Sequence, residues 1–310
     1  MWWIWVLAAL VLIFIIMTVG IYIFTFYSPK GKRTDDRDFP EGQGYDEYKE
    51  EALSLIDELR ARPCEEVHIT SFDGLKLRAR YYHTADGVPL AICCHGYRST
   101  GPRDFCAGSK MFIEHGMNVL LIDERAHAQS EGTVITFGIN ERQDVLYWTR
   151  YAGERFGDIP IFLVGISMGA ATVLLSSGLD LPENVRGIMA DCPYASPREI
   201  ISSVSQGMHF PKFCMIFAIV GAKVLGHFDL IKISAADEVK KTKVPILIVH
   251  GLADDFVPEY MSKKVAEANP SMITRVTFPG AVHAMSYFTD KEKYRNTVLS
   301  FIDEHRDGSF

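Results

Sequence analysis

Ser167 sits in the pentapeptide Gly165-Ile166-Ser167-Met168-Gly169, after the apolar run 160–164 and before a second one, 170–175. A strand, a sharp turn carrying a serine and then a helix is the setting in which such a hydroxyl is held out for attack. Flanking glycines let strand and helix close on the turn. A serine hydroxyl is a weak nucleophile at neutral pH and needs a base, whose ring must in turn be oriented. Candidates stand at the ends of other apolar runs: His95 after 90–94, His250 and Asp254 after the run that starts at Val244, and His283 after 273–278. Ser167, Asp254 and His283 fall in the chain order of a nucleophile, an acid and a base placed at the carboxyl ends of successive strands. Asp255 and Asp191 remain alternative acids, although the register H-G-x-x-D-x-x-V-P favours Asp254. His95 and His250, in glycine turns, suit backbone hydrogen bonding better than proton transfer. The other histidines outside the 123–132 loop, His68, His83, His115, His209, His227 and His305, show no metal-ligand spacing.

The elements that must carry these residues alternate. Residues 66–70 and 75–83 flank Asp73-Gly74 and predict a hairpin. Strands are expected at 89–94, 117–122, 161–164, 185–190, 244–249 and 273–278, with helices at 104–115, 141–156, after Ser167, 258–269 and 290–305. Such alternation predicts an α/β fold: a mainly parallel central sheet covered by helices on both faces. About fifty residues separate the strands near Cys192 and Val244, where a connection usually takes two to six. Rich in Phe, Met and Ile, residues 195–242 are expected to form a helical cap over the site.

Charge is unevenly placed. None occurs from Trp2 to Tyr27, a 26-residue run, and roughly 20 apolar residues suffice to cross a bilayer as a helix. Trp2, Trp3 and Trp5 at one end and Tyr22, Phe24, Phe26 and Tyr27 at the other suit two membrane interfaces. With no basic leading region and no small-residue cleavage site, residues 1–27 are expected to be an uncleaved single-pass anchor. Lys30, Lys32 and Arg33 follow it, which places the remainder in the cytoplasm by the positive-inside tendency. Residues 28–44, polar and rich in Gly and Pro, are expected to be a flexible tether, reaching at most about 56 Å. An amphipathic helix follows from Tyr45, and residues 45–310 form the expected domain. On this reading anchor and domain are separable. No Lys/Arg block is long enough to suggest nucleic acid at a net charge of −7. The cysteines Cys64, Cys93, Cys94, Cys106, Cys192 and Cys214 lack metal-ligand spacing and read as buried thiols of a reducing compartment.

The landmarks C-C-H-G-Y (93–97), G-I-S-M-G (165–169), H-G-L-A-D-D-F-V-P (250–258) and V-H-A-M (282–285) together resemble the α/β-hydrolase superfamily. The likeness is to its serine aminopeptidase-like and monoacylglycerol lipase-like branch, over roughly residues 67–304. The resemblance implies Ser167 as nucleophile, His283 as general base then acid, and Asp254 as the residue holding the imidazole. It implies an oxyanion hole from the backbone N–H groups of Tyr97 and Met168, and neither metal nor organic cofactor. The segment 123–132 is similar to a family loop, D-x-R-G-x-G-x-S-x-G, but carries Ala126 and Ala128 in place of glycines. If those positions need positive φ the alanines are strained, so no binding role is carried over, and Arg125 is expected to be a structural tie. The expected activity is a membrane-anchored serine hydrolase acting on an ester or lipid with an apolar acyl group. Peptidase, amidase or acyltransferase chemistry would use the same residues, and a non-catalytic membrane scaffold would keep only the fold.

Overall fold

The apolar runs form an eight-stranded sheet in the computed structural model, which describes residues 1–30 and 34–308. The strands are β1 (Glu65–Thr70), β2 (Lys76–Tyr82), β3 (Leu90–Cys94), β4 (Asn118–Ile122), β5 (Ile161–Ile166), β6 (Val185–Asp191), β7 (Ile246–Gly251) and β8 (Ile273–Phe278). Their order is β1-β2-β4-β3-β5-β6-β7-β8. The β1–β2 hairpin is antiparallel and every pair from β4 to β8 is parallel. Strands β3, β4, β5 and β7 are buried along their whole length, as a sheet covered on both faces requires.

In chain order the helices are α1 (Trp2–Thr25), α2 (Lys49–Ala61), α3 (Gly101–Glu114), α4 (Glu141–Phe156), α5 (Met168–Ser176), α6 (Pro197–Gly207), α7 (Met215–Val224), α8 (Ala235–Glu238), α9 (Tyr260–Ala268), α10 (Ser286–Thr289) and α11 (Lys291–His305). One core layer joins α4, α5 and α9 to the sheet through side chains such as Trp148, Leu174 and Met261. The other joins α3 and α11 through Phe105, Phe112, Phe301 and Ile302. The expected insertion between β6 and β7 is helical, made of α6, α7 and α8. Ser196 caps α6 by accepting from the Glu199 N–H at 3.2 Å, with Pro197 in the first turn.

Two expectations about the amino-terminal region are corrected. Phe26, read as an interfacial ring, is fully buried in the domain against Phe137 and Phe228. Tyr27 bridges Val134, the Ile135 N–H donates to the Phe26 carbonyl at 2.8 Å, and the buried Ser28 donates to the Ala126 carbonyl at 2.8 Å. Nor is 28–44 a loose tether where it is described. Thr34 donates to the Arg98 carbonyl, Arg37 pairs with Asp57, and Phe39 is buried beside Ala52 and Met285. A polar composition marks a segment that needs no core of its own. It does not prevent that segment from lying along another element's surface. Lys32 and Arg33 lie outside the described residues.

Candidate functional site

The site is built where β5 turns into α5. Ser167 has φ +57°, a left-handed conformation a non-glycine residue adopts only when its surroundings over-determine it. The Ser167 N–H donates to the Asp191 carbonyl at 2.9 Å and holds the turn to β6. The two glycines have steric duties. A Cβ at Gly165 would lie 2.2 Å from the Gly169 carbonyl oxygen, and one at Gly169 would lie 1.9 Å from that of Cys94.

His283, in the loop after β8, spans the gap between serine and acid. The Ser167 hydroxyl lies 2.9 Å from His283 Nε2, and His283 Nδ1 lies 2.7 Å from Asp254 Oδ2. The Asp254 carboxylate, after β7, also accepts the N–H groups of Phe256 at 3.0 Å and Val257 at 2.8 Å. His250 Nε2 donates to the Val257 carbonyl at 2.9 Å and sits 3.3 Å from Asp254 Oδ2. Burial alone would raise the Asp254 pKa, but the hydrogen bonds from His250 and His283 win and hold it down to about 2. The carboxylate is therefore ionised, and the Nδ1 proton of His283 faces a fixed negative charge. Asp255 is exposed and makes no contact with the imidazole. Asp191 supplies its carbonyl to the Ser167 turn, while burial pushes its carboxyl up to about 6.

The loop after β3 is tied on both sides of Tyr97. The Gly96 N–H donates to Asp104 Oδ2 at 2.7 Å, and the Arg98 N–H donates to His127 Nε2 at 3.0 Å. Between these committed donors, the Tyr97 N–H has no acceptor among the described residues. Met168 opens α5 beside Ser167, and Tyr97 and Met168 line the same cavity as the serine. The 123–132 loop does keep the left-handed path: Ala126 has φ +61° and Ala128 φ +38°. Arg125 is the expected tie, holding Asp144 and Asp73 through four hydrogen bonds. His95, donating from Nδ1 to the Gly96 carbonyl at 2.9 Å and accepting the Glu124 N–H at 3.2 Å, is buried with its pKa lowered by that burial. It is a neutral strut.

Two cavities meet at Ser167. The larger, about 440 Å³, is mostly apolar and runs under the cap past Ile201, Val204 and Met215. The smaller, about 140 Å³, lies on the His283 side against Tyr45, Arg103 and Phe288. From the cap, Phe210 and Met215 face the large cavity, whereas Phe213, Ile216 and Val224 point outward. Among the described residues one cluster brings metal-ligating types together, Cys192, Asp254 and His283, with donor atoms within 4.8 Å of one another. Burial raises the Cys192 thiol well above its ordinary value, and the Asp254 carboxylate and His283 imidazole are engaged with each other.

Sequence reasoning missed four contributors. Asp104 and His127 fix the loop around Tyr97, Tyr45 donates its hydroxyl to the His283 carbonyl at 3.1 Å, and the end of α1 walls the large cavity. Asp104 lies eight residues from Gly96, and His127 falls within the 123–132 loop onto which no binding role was carried, so each gave only a weak local signal. Tyr45 and α1 gave none, because their contacts are long-range.

Comparison with known proteins agrees with the fold. The serine aminopeptidase family, S33, matches residues 89–228. The Bacillus subtilis (strain 168) protein YqkD is 28% identical over 235 residues, covering 74% of this chain and 76% of that protein. Lysophosphatidylserine lipase ABHD12 of Danio rerio is 25% identical over 183 residues, covering 57% of this chain and 46% of that protein. The solved structure of Pyrococcus furiosus esterase Pf2001 is similar with a TM-score of 0.66 at 19% identity, over 80% of this chain and 94% of that one.

Proposed function

We propose that this chain, which has the α/β-hydrolase fold and matches the serine aminopeptidase family over residues 89–228, is a membrane-anchored serine hydrolase cleaving a carboxylic ester with an apolar acyl group. The observation that carries the reading is the hydrogen-bonded series Ser167–His283–Asp254 opening into a mostly apolar cavity. Ser167 Oγ attacks the ester carbonyl as His283 Nε2 takes its proton. The oxyanion forms opposite the Tyr97 and Met168 N–H groups, which cost no reorganisation at the moment of reaction, and the N-terminal end of α5 adds favourable potential. Collapse expels the alcohol, which receives the proton from His283. Water, deprotonated by the same imidazole, then attacks the acyl-enzyme, the carboxylic acid leaves, and the hydroxyl of Ser167 is restored.

The apolar cavity supports the choice of acyl group: each methylene buried there contributes about 0.8 kcal/mol. A relative that is a lysophosphatidylserine lipase supports a lipid-derived ester. The uncharged α1, whose apolar residues from Trp2 to Ile16 are all exposed, supports a membrane anchor. The cations after it support a cytoplasmic domain.

An active-site-directed fluorophosphonate tests the reading. Covalent labelling of the full-length protein, abolished in Ser167→Ala, is expected. A folded wild-type protein that neither labels nor turns over p-nitrophenyl esters would favour a scaffold role instead.

A further inference from the structure

The carboxy-terminal turns of α1 belong to the site. Gly20, Ile21, Phe24 and Thr25 line the same cavity as Ser167, facing the cap residues across it. They are held there by two sets of contacts. On the cap side α1 lies tightly on α7: the Phe14 and Phe217 rings are 5.1 Å apart, and a Cβ at Gly221 would come within 3.1 Å of Tyr22 Cβ. On the catalytic side the Tyr97 hydroxyl donates to the Thr25 carbonyl at 2.8 Å, and Arg98 Nη2 donates to the carbonyls of Phe24 at 2.8 Å and Tyr27 at 3.2 Å. A cation on the last carbonyls of a helix satisfies groups that have no partner within it. So the loop carrying the Tyr97 N–H is bonded to the last turn of α1, and the turns before it close the cavity.

Resting on the hydrolase reading above, we infer that α1 is a specificity-determining wall of the acyl site, in which Gly20 and Ile21 help set the length of acyl chain accepted. The helix that holds the protein in the bilayer then also measures the apolar chain taken from it. Gly20 has open space around it, with nothing within 4 Å of an added Cβ, so a side chain there narrows the site without a clash. Ile21 packs against the core from its half-buried position, and trimming it widens the site.

The test uses the full-length protein in lipid nanodiscs with p-nitrophenyl acetate, butyrate, octanoate and laurate. Gly20→Leu is expected to lower the ratio of kcat/KM for laurate to that for acetate about tenfold, roughly the loss of two buried methylenes, and Ile21→Ala to move the preferred chain length upward. Ile13→Ala, an exposed position of α1 outside the cavity, is expected to keep the wild-type profile. Identical profiles in all four proteins overturn the inference while leaving the hydrolase reading intact. If the wild type hydrolyses no ester, the hydrolase reading fails by itself. Calorimetric binding of laurate in a Ser167→Ala background then decides: affinity reduced about tenfold by Gly20→Leu but not by Ile13→Ala supports the wall, and equal affinities overturn it.

Discussion

At the scale of residues, the decisive group is Asp254, whose charge is fixed by donors on both sides. Asp254→Asn preserves shape but offers His283 a side chain that can donate as well as accept, so the imidazole loses the constraint that keeps its proton on Nδ1. A fall in kcat of about 10³–10⁴ is expected, against a fall at least as large for His283→Ala, with circular dichroism unchanged in both. Steady-state kinetics on a soluble ester measure it, and near-wild-type turnover in either variant would remove these residues from the chemistry. The same carboxylate sets a pH dependence. Its folded pKa is about 2, below the roughly 3.9 of an unfolded Asp. It therefore contributes stability that is fully present above about pH 4 and lost as pH falls through 2, some 2–3 kcal/mol in order of magnitude. Denaturant unfolding followed between those pH values should show a steeper loss for wild type than for Asp254→Asn; parallel curves would contradict the assignment of the low pKa.

At the scale of elements, the turn after β5, the loop after β3 and the connection from β4 to α4 must keep register with one another. Arg125 does much of this, joining the β1–β2 turn through Asp73 to α4 through Asp144, with the Arg125 and Asp144 side chains both almost entirely buried. Arg125→Met leaves the Asp144 carboxylate without its cation and is expected to destabilise the fold by about 3–5 kcal/mol. Because it sits beneath the cavity and does not line it, activity per folded molecule at low temperature should fall much less. A variant with wild-type unfolding would show the tie to be dispensable. Much of this layer was legible in the sequence. The elbow glycines, the strand-end His-Gly turns and the Asp254 register are short patterns imposed by sterics within a few residues, so they survive in the linear text. Arg125 as a tie followed from a loop resemblance even though alanines replace its glycines. The structure resolves that conflict by placing Ala126 and Ala128 at positive φ, so the path of the backbone is kept despite the strain. What could not be read was which distant side chains reach the site. An apolar run such as that of α1 looks the same whether its neighbours are lipid tails or a pocket, and the contact between Tyr45 and His283 spans 238 positions.

At the scale of the whole molecule, the boundary between anchor and domain falls inside the hydrophobic core. Removing residues 1–27 deletes Phe26, whose ring is fully buried, the bond from the Ile135 N–H to the Phe26 carbonyl, and the Tyr27 bridge to Val134. Loss of a buried Phe alone costs about 3–5 kcal/mol, a large share of the roughly 5–15 kcal/mol by which a domain is stable. The truncation also opens the 440 Å³ cavity along one wall and leaves Tyr97 and Arg98 without the carbonyls they hold. A protein lacking 1–27 is therefore expected to melt well below the full-length chain or to aggregate, whereas one lacking only 2–13 keeps Phe14, Thr18 and the turns that pack on α7 and the loop. Phe26→Ala in the intact chain separates the two effects: it should lower stability by about 3–5 kcal/mol while the cavity wall and its hydrogen bonds remain. Thermal unfolding of the four proteins in the same detergent provides the comparison. Equal melting temperatures for the full-length and the 1–27 truncated chains would return α1 to the status of a separable anchor, whereas a graded loss would make the helix a structural part of the hydrolase domain.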